Sequence, residues 1–154
     1  MSNQLLIHSS SLDQNGCLLR KHSALDQNIS PSFQLENLHE KAVTLAIIFE
    51  CIDNKKTHWI IWNIPAAQSI DEGIKSGAIV KELNNAFQGV ALGKNRYFGP
   101  KPRFYSPKKT NYCFTVYALD TQLDLLFSAD KTHLLKAMDG HILQTGKLFA
   151  TFEK

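Results

Sequence analysis

The chain has 154 residues, of which 44% are hydrophobic and 20% charged, and its formal net charge is +3. These values are typical of one globular domain over residues 1–154 and exclude an intrinsically disordered chain. The longest apolar run, from Ala42 to Phe49 and on through Ile52, is too short to span a bilayer. Because residues 1–8 also lack the features of a secretory signal, we expect a cytoplasmic protein with no transmembrane segment.

The first half of the chain predicts four strands. A short strand is predicted over 5–9, and a second with alternating apolar side chains over 29–35. The apolar, β-branched segment 42–51 predicts a buried strand. Because only a polar turn separates it from the next strand, over 57–64, we expect these two strands to form an antiparallel hairpin.

The second half of the chain predicts loop, strand and helix in turn. Glycines and asparagines interrupt the segment 70–87, which is therefore expected to be mostly loop. Alternation over 111–119 predicts a strand, and a helix is predicted over 128–139, ended by Gly140. The segment 141–152 returns as a final strand or strand pair. The fold class is mainly β, with a sandwich-like core.

A histidine lies inside the strand predicted over 57–64. Both tryptophans of the chain are in this strand, so both of its faces are expected to be covered. Strict alternation gives one face to His58, Ile60, Trp62 and Ile64 and the other to Trp59, Ile61 and Asn63. An imidazole entering a covered strand needs a partner or a pocket. His58 is thus either a satisfied histidine at the core edge or part of a binding site.

The segment 94–109 is cationic and aromatic. No acidic residue occurs between Glu82 and Asp120, whereas six cations fall in that interval: Lys94, Arg96, Lys101, Arg103, Lys108 and Lys109. This loop is either a solvated surface or the contact for an anionic partner. Nucleic acid is not the expected partner, because the prolines stiffen the loop and the pI of about 8.7 is low for such domains.

Chemistry-bearing motifs are few. The three cysteines have long spacings and form no CxxC pair, which argues against a disulfide scaffold. The six histidines lack metal-ligand spacing, and no nucleophile elbow, P-loop or dinucleotide motif occurs. We therefore assign no catalytic residues, no metal and no cofactor. One alternative stays open: Cys51 and His58 flank a tight turn and could form a thiol–imidazole pair.

The order of several short motifs resembles the phosphatidylethanolamine-binding protein (PEBP) family, in its short bacterial branch. The matching segments are Ser30-Pro31, the His58-Trp59 strand closing with Asn63-Ile64-Pro65, Gly93-Lys94-Asn95, Tyr97-Phe98-Gly99-Pro100-Lys101-Pro102, and the strand from Tyr112 to Leu119. The resemblance covers nearly the whole chain as one PEBP-like domain. It implies a large antiparallel sheet packed on a smaller sheet, with peripheral helices.

The resemblance also implies a small pocket that accepts anions such as phosphate head groups. The pocket residues that match are His58, Gly99, Pro100 and Tyr112, and Asp53 stands for the second aspartate of an Asp-Pro-Asp motif. Several positions depart from the family, and two of them remove polar groups from the pocket. Cys51 replaces the first aspartate, and Thr110 replaces a histidine. Because hydrogen bonds to charged groups contribute about 1.5–3 kcal/mol each, these losses predict a retuned or degenerate pocket.

Three functions follow from these residues. The first is a non-enzymatic binding protein for a small anion or phosphate head group, with a pocket at His58. The second is an interaction protein that modulates a kinase or protease through the basic loop 94–109, and a homodimer is also kept open. The third is a thiol-dependent enzyme that uses Cys51 and His58.

Overall fold

The computed structural model describes residues 4–154, which are organised around nine strands in two antiparallel sheets. The strands are β1 (Leu6–His8), β2 (Phe33–Glu36), β3 (Thr44–Cys51), β4 (Thr57–Pro65), β5 (Ser69–Ile70), β6 (Ile79–Val80), β7 (Ala86–Gln88), β8 (Lys109–Leu119) and β9 (Ile142–Glu153), and the α-helix is α1 (Lys131–Met138). Short 3-10 turns lie at Arg20–His22 and Lys81–Leu83. Within these residues no helix is long and apolar enough to cross a membrane.

The larger sheet has six strands in the order β6-β7-β4-β3-β8-β9, and the smaller has three in the order β1-β2-β5. The predicted hairpin is confirmed, since β3 and β4 pair antiparallel. β8 pairs with β3 on its other side. The hairpin therefore occupies the centre of the large sheet.

Both faces of the large sheet are covered. Its inner face packs against the small sheet around Phe49, Trp59 and Phe114, which are fully buried. Its outer face packs against α1 and the preceding loop, with Trp62 and Leu134 fully buried there. This double coverage explains why β3 and β4 are apolar along both faces. The predicted mainly β architecture, with a large sheet on a smaller one and a peripheral helix, is confirmed.

Element boundaries differ from the sequence prediction in several places. The strand predicted over 29–35 begins only at Phe33. The segment 70–87 is mostly loop, as expected, but it also contains the end of β5, all of β6 and the first two residues of β7. The last segment forms one strand, which is the first of the two predicted alternatives. The helix is shorter than predicted and begins after Asp130, whose carboxylate accepts a hydrogen bond from the His133 amide.

The predicted faces of β4 are wrong at His58, Asn63 and Ile64, because the strand contains two irregularities. Phe49 pairs with Trp59 and Glu50 with Thr57, which leaves His58 as an extra residue. Such a β-bulge turns the extra side chain toward the opposite face. His58 therefore lies on the inner face, where its ring contacts those of Phe49 and Tyr112.

The second bulge lies at Asn63, because Leu45 pairs with Ile64 and Ile47 with Ile61. Asn63 has a left-handed backbone, with φ of 60°. Its side chain accepts a hydrogen bond from the Leu123 amide at 2.8 Å and donates one to the Leu123 carbonyl at 3.0 Å. The bulge returns Ile64 to the inner core, so Ile64 does not share a face with Trp62.

Candidate ligand-binding site

A cavity of about 610 Å³ opens at one end of the central hairpin. Three segments supply most of its lining: the hairpin turn within 51–58, the loop within 98–107, and Thr110 and Tyr112 at the start of β8. The cross-strand pairing of Cys51 with Tyr112 brings the end of β3 against β8. The bulge then places His58 beside that pair.

His58 is held by one ring nitrogen. Its side chain is buried, and Nδ1 lies 3.0 Å from the Phe98 carbonyl oxygen. Because a carbonyl only accepts, Nδ1 is the protonated nitrogen. Burial lowers the pKa of His58 below its usual 6.5, and Lys56 lowers it further, against the opposing effect of the Phe98 hydrogen bond. The imidazole is thus neutral at pH 7, with the lone pair on Nε2.

Tyr112 and Cys51 form the inner wall of the cavity. The Tyr112 ring meets the His58 ring edge-on, with centroids 5.7 Å apart. Burial raises the pKa of the Tyr112 phenol well above its usual range, with smaller contributions from Cys51 and Asp53. The hydroxyl therefore stays protonated at any physiological pH. Cys51 is buried, and among the described residues no hydrogen bond joins its sulfur to His58.

Asp53 lies at the rim and is already engaged. Its Oδ2 accepts a hydrogen bond from the Asn111 amide at 2.8 Å, and its Oδ1 accepts one from Asn111 Nδ2 at 3.3 Å. The Ile52 amide in turn donates to the Asn111 carbonyl at 2.9 Å. These bonds tie the hairpin turn to the start of β8. The carboxylate thus braces the cavity wall.

Cationic side chains dominate the charge of the lining. Lys56, Lys101 and Arg103 line the cavity, whereas Asp53 is the acidic residue among the lining positions. The arrangement favours an anion. No group of three or more histidine, cysteine or acidic side chains within residues 4–154 is placed to hold a metal ion.

Two of the seven predicted site residues lie behind the cavity wall. Gly99 and Pro100 are buried and are not among the lining residues. The Gly99 amide donates to Asn28 Oδ1 at 2.7 Å, and a Cβ at Gly99 would overlap the His22 carbonyl oxygen. This close packing fixes the adjacent Phe98 carbonyl, which holds His58. The other five predicted residues do line the cavity: Cys51, Asp53, His58, Thr110 and Tyr112.

Sequence reasoning missed several lining residues. Phe98 contributes through its backbone carbonyl, which no side-chain pattern reveals. Lys56 and Tyr105 also line the cavity. A cation placed two residues before the strand histidine is a signal that could have pointed to Lys56.

Two packed antiparallel sheets, with a cavity at one end of the central hairpin, define a β-sandwich. A family model for phosphatidylethanolamine-binding proteins matches residues 8–153. The chain belongs to the phosphatidylethanolamine-binding protein family.

Individual relatives agree with this assignment. A UPF0098 protein of Pyrococcus abyssi is 37% identical over 139 residues, which cover 87% of this chain and 77% of the relative. The crystal structure of a PEBP homologue from Chlamydia trachomatis has a TM-score of 0.83 at 29% identity, covering 99% of each chain. The E. coli protein YbcL, described as a member of the mammalian PEBP family, shares the fold, with a TM-score of 0.78 at 18% identity over 98% of this chain and 99% of its own.

Proposed function

We propose that this chain is a non-enzymatic binding protein for a small anion, either free phosphate or a phosphate head group, held in the cavity at His58. The observation that carries the proposal is the lining itself. Three cations, Lys56, Lys101 and Arg103, line the same cavity as the His58 imidazole and the protonated Tyr112 phenol. Family membership supports a ligand-binding role.

The protonation states indicate how a phosphate would be held. Nε2 of His58 makes no hydrogen bond to a described residue, and in the neutral ring it is an acceptor. It would accept from the hydroxyl of a monoprotonated phosphate, while Tyr112 donates to an ionised oxygen. Alternatively, a fully ionised anion would raise the pKa of His58 and draw a proton onto Nε2.

The departures from the family pattern define what this pocket has lost. Cys51 and Thr110 stand where a carboxylate and an imidazole are expected, and both line the cavity. Without that carboxylate, the cavity has less negative charge to repel a plain anion and less to attract the ammonium of phosphoethanolamine. We therefore expect phosphate to bind more tightly than phosphoethanolamine.

Isothermal titration with phosphate, acetate and phosphoethanolamine tests the proposal. His58→Ala should weaken phosphate binding by about tenfold to a hundredfold, because one hydrogen bond to a charged group is lost. His141→Ala is the matched control, since His141 pairs with Asp120, away from the cavity. Equal phosphate binding by wild type and His58→Ala would move the site elsewhere.

A gain-of-function variant tests the role of the departures. Cys51→Asp combined with Thr110→His restores the two polar groups that the family pattern contains. The double variant should bind phosphoethanolamine more tightly than the wild type does. If it binds no better, the cavity differs from the family pocket in shape as well as polarity.

A further inference from the structure

The segment Lys101–Lys109, here called the tip loop, exposes two adjacent aromatic side chains. Phe104 is 93% exposed and Tyr105 is 71% exposed, and their ring centroids lie 5.4 Å apart. Both side chains thus place large apolar surfaces in water. Elsewhere in the same basic stretch the aromatic side chains are less exposed, and Phe98 is half-buried. Tyr97 is buried, and its hydroxyl donates to the His22 carbonyl at 2.7 Å.

The fold fixes the tip loop in this conformation. The ammonium of Lys154 donates to the carbonyl oxygens of Arg103 at 3.1 Å, Phe104 at 2.6 Å and Ser106 at 2.6 Å. The Ser106 amide also donates to the Arg103 carbonyl at 2.9 Å, which closes a turn. All three donors of the ammonium are therefore used on one turn. Phe104 lies inside that turn, so its exposure is part of the built structure.

The charged side chains of the tip loop itself are all cationic, and the exposed Glu153 lies opposite Lys109 across β8 and β9. Lys101, Arg103, Lys108 and Lys109 are exposed in the tip loop, and no acidic residue occurs from residue 83 to residue 119. Tyr105 also lines the mouth of the cavity, so whatever the rings contact lies next to that opening. Exposed aromatic rings among cations match the interface of an anionic bilayer, where aromatic rings sit among head groups and cations are attracted.

We propose that the tip loop docks this protein on bilayers rich in anionic phospholipid, with Phe104 and Tyr105 inserted at the level of the head groups. A protein partner fits less well, because a stable protein interface buries about 800 Å² and about 20–30 residues a side. The tip loop has only nine residues, and its two exposed aromatic side chains are neighbours, so the surface it offers is smaller than such an interface requires. Docking does not depend on a ligand in the cavity.

Co-sedimentation with vesicles tests this proposal. Wild-type protein should sediment with vesicles of equal phosphatidylglycerol and phosphatidylcholine at low salt, and not with phosphatidylcholine alone. Phe104→Ser should weaken sedimentation by about tenfold, because a large apolar side chain leaves the interface. Lys108→Gln and Lys109→Gln should each weaken it by about fivefold, from the loss of one cation near the surface.

Phe149→Ser is the matched control. Phe149 is 62% exposed on β9, in a separate cavity lined by β1, and its replacement should leave sedimentation unchanged. Neither Phe104 nor Phe149 lines the cavity at His58, so both variants should bind phosphate as the wild type does. The phosphate titration therefore reports separately on the cavity, whichever way the vesicle experiment comes out.

Two results would overturn the proposal. The first is wild-type protein that stays in solution with phosphatidylglycerol vesicles. In that case, weaker binding of an acidic peptide by Phe104→Ser would assign the tip loop to a protein partner instead. The second is a folded Phe104→Ser variant that sediments as well as the wild type, because charge alone would then explain the attraction.

Discussion

Strand β4 contains two β-bulges, which differ in how fully the side chain of the extra residue is hydrogen-bonded. At Asn63, both the oxygen and the nitrogen of the side-chain amide form buried hydrogen bonds with the backbone of Leu123. At His58, Nδ1 donates a hydrogen bond to the Phe98 carbonyl, and Nε2 has no hydrogen-bond partner among the described residues. The fully hydrogen-bonded side chain of Asn63 holds the backbone of Leu123 in place. His58, by contrast, keeps one ring nitrogen that could bond to a ligand.

The two settings also differ in what surrounds them. Asn63 is bonded to the backbone of Leu123, whose side chain belongs to the outer core together with that of Trp62. His58 faces Tyr112, Cys51 and Lys56 at an open cavity. The comparison predicts that changes near Asn63 act on stability, and that changes at His58 act on binding and on pH dependence.

The largest expected effect comes from the tryptophan next to the His58 bulge. Trp59→Ala should lower the free energy of unfolding by about 3–5 kcal/mol, because the side chain is fully buried. Urea denaturation measures the change, and Trp62→Ala should act similarly in the outer core. Full tolerance of both substitutions would contradict the buried hairpin.

Phenylalanine variants separate packing from hydrogen bonding at these positions. Trp59 Nε1 donates to Gln88 Oε1 at 2.7 Å, whereas Trp62 Nε1 is buried with no partner among the described residues. Trp59→Phe should therefore be more destabilising than Trp62→Phe, by about 1–3 kcal/mol for the acceptor left unpaired. Equal losses would show that the Gln88 bond adds little.

The second effect tests the satisfied bulge directly. Asn63→Ala removes both bonds to Leu123 and leaves alanine in a left-handed backbone, so it should lower the free energy of unfolding by about 2–4 kcal/mol. Asn63→Gly relieves the backbone strain and isolates the loss of the side chain. If Asn63→Gly is as stable as the wild type, the amide bonds are dispensable.

A smaller effect should appear in the pH dependence of stability. Burial lowers the folded-state pKa of His58 below 6.5, so the unfolded chain takes up its proton first. The stability from the neutral ring is present above about pH 6.5 and is lost as the pH falls toward the folded-state pKa. Urea midpoints from pH 8 to pH 5 should therefore fall less steeply in His58→Ala than in the wild type.

His22 gives the control for this pH experiment. It is fully buried, and burial lowers its pKa in the same direction. The pH dependence that persists in His58→Ala should thus shrink further when His22→Gln is added. A profile of the single variant identical to that of the wild type would show that His58 stays equally protonated in both states.

The smallest expected effect is chemical. Cys51 is 2% exposed, so iodoacetamide should modify it more slowly than free cysteine at neutral pH. Half-buried Cys17 serves as the internal comparison, and mass spectrometry locates the label. Modification of Cys51 much faster than free cysteine would favour the thiol-dependent enzyme over the binding protein.

Sequence reasoning was most effective where composition and periodicity were strong. The apolar segments 42–51 and 57–64 predicted the central hairpin, and the order of short motifs predicted two packed sheets. The face of His58 could not be predicted, because β4 is apolar on both faces and offers no polar contrast from which to detect a bulge. Gly99 and Pro100 were assigned to the pocket through a motif, whereas the neighbouring group that contacts His58 is the Phe98 carbonyl.

The double coverage of the large sheet has a consequence for how this protein can change. A substitution in the middle of a strand that is covered on both faces requires the core around it to repack. Substitutions that change the chemistry of the protein are therefore tolerated best at strand ends and in the loops beyond them. Cys51 and Thr110 lie at such ends, where a substitution exchanges one polar group and leaves the fold standing. Substitutions at these strand ends can therefore change which ligand the proposed site prefers while the two sheets stay the same.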